Sequence, residues 1–156
     1  MPAGTGQSFS PTLAAIDYVR LNLNDPYPNS PTHNGGATLS LTLRAESMFG
    51  PVLGTTSPVF LADDTAAIVP FLFPQTIALA PGTTYYLELI LQPSDNWGIL
   101  SAEYNYAGGS GFWGGVAGAD DFWFQEGVVI PEPSAVLLAL AGGVAFWFRR
   151  NCVGRT

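Results

Sequence analysis

Apolar and polar residues alternate with a period of two along most of this chain, and clusters of proline, glycine, asparagine and aspartate interrupt the alternation. Val19, Leu21 and Leu23 alternate with Arg20, Asn22 and Asn24, which predicts a strand with one apolar and one polar face. The stretch Asn24 to Gly36 holds Pro26, Pro28, Pro31, Asn34, Gly35 and Gly36 and reads as a loop. Leu39, Leu41 and Leu43 then alternate with Ser40, Thr42 and Arg44 as a second strand. Short apolar runs follow at Val59 to Leu61 and Ile68 to Phe73. Phe71 to Phe73, between Pro70 and Pro74, is expected to be a brief strand buried on both faces, or else an edge piece. Pro81 presets the second position of a turn and Gly82 admits positive φ at the third, so Leu79 and Tyr85 should be brought back against each other. Beyond that turn, Tyr85, Leu87, Leu89 and Leu91 should face inward, with Tyr86, Glu88 and Gln92 outward. Trp97 to Tyr106 supplies one or two further strands, Ala107 to Ala119 is a glycine-rich loop, and Asp121 to Gln125 closes the domain as a last strand. Roughly seven to ten short strands at turn spacing predict an all-β fold, an antiparallel β-sandwich with jelly-roll-like connections, over residues 1–127.

The pattern changes after Ser134. From there to Phe148 the chain is uncharged and apolar, and as a helix it would span about 22 Å, somewhat short of a hydrocarbon core of about 30 Å. The flanks favour a single C-terminal transmembrane helix within the tail 128–156. Ser134, Ala135, Leu137 and Leu140 open the span, Phe146, Trp147 and Phe148 sit at headgroup level, and Arg149 and Arg150 can snorkel outward. By the positive-inside rule, the side carrying Arg149, Arg150 and Arg155 is cytoplasmic and residues 1–130 lie across the membrane. Pro131 and Pro133 mark where the helix begins and leave an accessible extended peptide just outside the bilayer.

Pro131-Glu132-Pro133, an apolar run and an arginine cluster, in that order, resemble the PEP-CTERM sorting signal of bacteria with outer membranes. The resemblance covers the tail only. It implies recognition by an exosortase, a membrane-embedded cysteine transpeptidase-like enzyme that cuts near the motif, and passage from the inner membrane to the cell surface or extracellular matrix. A plain tail anchor uses the same physics without the cut. More softly, Gln7-Ser8-Phe9, the run Leu79 to Leu87, the glycine-rich loop and Asp121-Phe122 resemble the choice-of-anchor type R domains of exported bacterial proteins, which bring no activity with them. Met1 to Gln7 has neither a basic stretch nor an apolar core of a signal peptide. The expectation is a start site placed too far downstream, or a truncated product.

Charge narrows the partners. The chain has no lysine, and residues 1–130 carry only Arg20 and Arg44 against eleven carboxylates, which argues against nucleic acid or anionic lipid as a partner of the domain. Cys152 is the only cysteine, so disulfides, cysteine metal sites and a cysteine nucleophile are outside the domain's means. The single histidine, His33, stands in a Pro/Asn/Gly loop, which leaves nucleophilic triads without a base. Glu46, Glu88, Glu103, Asp120 and Asp121 are the carboxylates a glycosidase would draw on, but scattered acids on an acidic sandwich read as its solvated face. No cofactor is implied. Asp63-Asp64, Asp95-Asn96 and Asp120-Asp121 offer hard oxygens for a structural calcium, without a recognisable calcium loop. For a glycan such as an exopolysaccharide, Trp97, Tyr104, Tyr106, Phe112 and Trp113 stand near Asp95, Asn96, Glu103 and Asn105. Trp113 is the strongest of these, because its glycine neighbours should leave it little core to join; the plainer reading makes them core or loop plugs. The sequence thus favours a non-enzymatic surface or matrix protein with exosortase and membrane as partners. The alternatives are a carbohydrate-binding module on the same anchor, a glycosidase, or a product lacking its signal peptide.

Overall fold

The computed structural model describes residues 2–25, 35–92 and 106–129, and these form an all-β, entirely antiparallel domain. In chain order the strands are β1 (Gly6–Phe9), β2 (Ala15–Asn24), β3 (Ala37–Ala45), β4 (Val52–Thr55), β5 (Val59–Leu61), β6 (Ala66–Ala78), β7 (Tyr85–Leu91), β8 (Gly111–Trp113), β9 (Val116–Ala117) and β10 (Phe124–Gly127). The larger sheet runs β4-β3-β7-β1-β8-β9, with β5 continuing β4 along the same edge of β3; the smaller runs β10-β2-β6. No helix among the described residues is long and apolar enough to cross a membrane, and the predicted span 134–148 lies outside them.

Period-two patterning places the core. Val19, Leu21 and Leu23 from β2, Leu39, Leu41 and Leu43 from β3, and Leu87 from β7 are all buried, and they join Phe9, Phe71 and Phe122 in one cluster between the sheets. β1 runs so close to β7 that a Cβ on Gly6 would stand 1.8 Å from the Leu87 carbonyl oxygen, so only glycine fits there.

Several expectations are corrected. Phe71 and Phe73 are buried but Leu72 is 50% exposed, so this segment is not buried on both faces. It belongs to the thirteen-residue β6, an edge strand of the small sheet, and an edge is where Pro70 and Pro74 forfeit little. The Pro81-Gly82 turn forms, with Gly82 at φ 77° and Thr83 N–H donating to Ala80 O at 3.1 Å. It brings Tyr85 near enough for its Oη to accept from Ala80 N–H at 3.0 Å, yet it joins strands of different sheets rather than a hairpin pair. The glycine-rich loop contains a hairpin, β8–β9, closed by Gly114 and Gly115 at φ 61° and 79°, values that favour a two-glycine turn. The final strand begins at Phe124 rather than Asp121, because Asp121 and Phe122 are engaged by the Gln7 side chain. The strands expected from Trp97 to Tyr106 fall almost entirely outside the described residues.

Glu88 is the largest departure. It points to the outer face of β7 as alternation requires, yet it is 3% exposed. Arg44 reaches it from β3, Nε and Nη2 each 2.8 Å from Oε2, and Gly4 N–H donates to Oε1 at 2.9 Å.

Candidate functional site

The register of the small sheet sets Asn24 opposite Ala66, so the end of β2 meets the turn that leads into β6. There Asp25 N–H donates to Thr65 O at 2.8 Å, and Asp64, held at φ 59°, donates its N–H to Asp25 Oδ2 at 3.3 Å. Asp25, Asp63 and Asp64 thereby present carboxylate oxygens that all lie within 4.8 Å of one another. Asp25 is buried, Asp63 half-buried and Asp64 exposed, and the buried Oδ1 of Asp63 makes no hydrogen bond. Loss of hydration, followed by the Asp64 and Asp25 charges, raises the Asp63 carboxyl above its ordinary range. Of the three residues, sequence singled out Asp63 and Asp64. Asp25 was missed because β2–β6 register, rather than spacing, delivers it.

Three clustered carboxylates are part of the oxygen set a calcium ion takes, which numbers about six to eight. The titration of Asp63 gives a direct check. A raised folded-state pKa means that its stabilising contribution is complete below the unfolded value and is lost as pH rises through the folded one. Asp63→Asn is therefore expected to melt above wild type at pH 7 in EDTA, with the gap closing as pH falls through the carboxylate range. Thermal scans from pH 3 to 8 measure this. A gap independent of pH would contradict the repulsion, and a calcium-dependent rise in wild type absent from Asp63→Asn would show that the cluster holds the ion.

Two of the other candidate carboxylates, Asp121 and Glu88, are engaged in holding the fold. Asp121, 5% exposed, accepts from Gln7 Nε2 on Oδ1 and from Tyr106 N–H on Oδ2, both at 2.8 Å, which makes it a strut rather than a calcium ligand beside the exposed Asp120. Glu88 is enclosed by Arg44 and Gly4, and Glu46 is exposed. Asp95, Asn96, Glu103, Asn105 and His33 lie outside the described residues.

Of the aromatics expected to bind a glycan, Trp113 and Tyr106 pack inward. The Trp113 ring sits 5.3 Å from Phe122 and is half-buried against the core, so its glycine neighbours do not deprive it of one. Tyr106 stacks edge-on to Phe124 at 5.0 Å and donates its hydroxyl to Ser10 O at 3.2 Å. Phe112 meets Tyr86 at 5.7 Å on the outer face of the large sheet. Trp97 and Tyr104 lie outside the described residues, so the structure brings together only part of the predicted glycan set. Two surface hollows, of about 150 Å³ beside Gly54, Phe73 and Ile77 and about 180 Å³ beside Pro2, Glu88 and Ile90, fall below the roughly 300–1,000 Å³ of small-molecule sites.

The described chain stops at Val129, whose N–H donates to Asp17 Oδ1 at 2.8 Å. Pro131, Glu132, Pro133, the anchor from Ser134 to Phe148, and Arg149, Arg150 and Arg155 all follow, outside the described residues. Together these observations define the class: an acidic antiparallel β-sandwich with a carboxylate cluster at one end. Comparison with protein-family models, with curated proteins and with solved structures gave no match.

Proposed function

We propose that the chain is a non-enzymatic exported protein, delivered to the cell surface or extracellular matrix by a PEP-CTERM tail that an exosortase cuts. The observation that carries this is the order of three elements with distinct physical roles. Pro131-Glu132-Pro133 interrupts regular structure, the run from Ser134 to Phe148 is uncharged and apolar, and Arg149 and Arg150 stop it. The sandwich supports the reading from the other side. Two of the five carboxylates a glycosidase could draw on, Asp121 and Glu88, are spent on internal hydrogen bonds and an ion pair, and Trp113 and Tyr106 are spent on packing. In this reading the tail spans the inner membrane once, with residues 1–130 outside the cytoplasm, until the cut releases the domain.

Intact mass of the protein from fractionated native cells tests it, comparing wild type with a variant carrying Pro131→Ala, Glu132→Ala and Pro133→Ala. Wild type is expected to lose the mass of the residues after the motif and to leave the inner membrane, while the variant stays full-length and membrane-bound. A full-length, membrane-retained species in both would refute processing and leave a plain tail anchor.

A further inference from the structure

The strand registers give the sandwich two chemically unlike ends. One end gathers the β1–β2 turn (residues 10–14), the β6–β7 connection (79–84) and Val129, where the described chain stops. Hydrogen bonds tie the two turns together: Leu79 N–H donates to Ala14 O at 2.9 Å and Gly82 N–H to Pro11 O at 3.1 Å. Asp17 beside them is engaged by Val129 N–H. The opposite end carries Asp25, Asp63 and Asp64, and from it the chain leaves the described residues at Asp25 and again after Gln92.

We infer that the first end is the face the domain turns toward a phospholipid bilayer. This rests on the proposed membrane span at 134–148, and two independent observations then fix the orientation. The first is reach. Val129 and Ser134 are five residue steps apart, at most about 18 Å when fully extended, whereas β2 alone, at ten residues, is roughly 33 Å long. A tether that short cannot carry the acidic end round to the membrane. The second is chemistry. Residues 10–16 and 77–84 contain no charged side chain, and Leu13, Val128 and Val129 stand 39%, 40% and 50% exposed with Ala14, Ala80 and Pro81 beside them. Glu46, where β3 finishes in the other sheet, is an acidic side chain on this end's rim. A partly apolar surface whose two turns carry no charge suits the headgroup boundary, whereas three clustered carboxylates would lose hydration there. While the tail spans the inner membrane, the acidic cluster is thereby presented away from the bilayer, into the compartment outside the cytoplasm.

The test uses the full chain in zwitterionic phosphatidylcholine vesicles carrying a headgroup spin label in both leaflets. In a Cys152→Ser background, a fluorophore is attached through Leu13→Cys, through the neighbouring exposed Thr12→Cys as a second probe of the same end, and through Ala62→Cys at the acidic end. Vesicle flotation is measured on the same samples. The expected result is flotation with loss of most of the emission from positions 12 and 13 and little loss from position 62. Flotation with equal quenching at both ends, or with stronger quenching at position 62, would overturn the orientation while leaving the membrane span standing. Failure to float would remove the span and the orientation with it.

Discussion

Phe9→Ala is expected to remove about 4 kcal/mol of folding stability, the upper range for a large-to-small change in a closed core. Phe9 is fully buried on β1, in the larger sheet. Its ring meets Tyr85 of β7 at 6.2 Å and, across the sandwich, Phe124 of β10 at 5.6 Å edge-on. It therefore fastens the two sheets as well as filling space. Tyr85 and Phe124 are each held by other contacts, Tyr85 through Ala80 and Phe124 through Tyr106, so the void cannot readily collapse. Against a typical total of about 5–15 kcal/mol for a domain, that loss leaves the fold marginal. Urea titration should show the midpoint falling with the slope unchanged. A cost under about 1 kcal/mol would mean that β1 does not seat between β7 and β8.

Arg44→Ala should cost about 3 kcal/mol, although a salt bridge on the outer face of a sheet would ordinarily contribute under about 1. The difference lies in burial. The Glu88 side chain is 4% exposed against 20% for Arg44, so removing the guanidinium strands a carboxylate whose remaining hydrogen-bond partner among the described residues is Gly4 N–H. Arg44 also donates Nη1–H to Gly50 O at 2.9 Å, pinning the loop after β3. Adding Glu88→Gln to Arg44→Ala should recover part of the loss, because no uncompensated charge then remains. Chemical denaturation of the two variants checks this; a cost for Arg44→Ala below about 1 kcal/mol would return the pair to the class of surface bridges.

The inward residues were legible because strand alternation is a local property. Leu39, Leu41 and Leu43 announce a buried face without reference to any partner, and the structure buries all three. Sheet membership was not legible, since it depends on pairings across long separations. Nothing near Pro81-Gly82 says that the chain changes sheets there, and the turn chemistry alone suits a hairpin equally well. Glu88 misled for a related reason: its own strand places it outward, and its partners there, Arg44 and Gly4, are both distant in sequence. Asp25 was not legible as part of a cluster, because only the β2–β6 register sets it beside Asp63 and Asp64. Trp113 looked stranded among glycines, although those glycines let the β8–β9 hairpin turn tightly while its ring rests on Phe122.

The position of β1 carries a consequence for the order in which the domain can assemble. It precedes every other strand in the chain, yet its partners are β7 and β8, with Gly6 opposite both Glu88 and Phe112. A chain entering a compartment amino-end first thus delivers β1 long before anything exists for it to pair with. The outer edge of β1 stays open until the Gly111–Trp113 segment arrives, whereas the β2–β6 and β3–β7 pairings need only residues that come before it. Phe9 lacks both of its ring partners until Tyr85 and then Phe124 have arrived, which is the interval in which this protein most needs protection from aggregation.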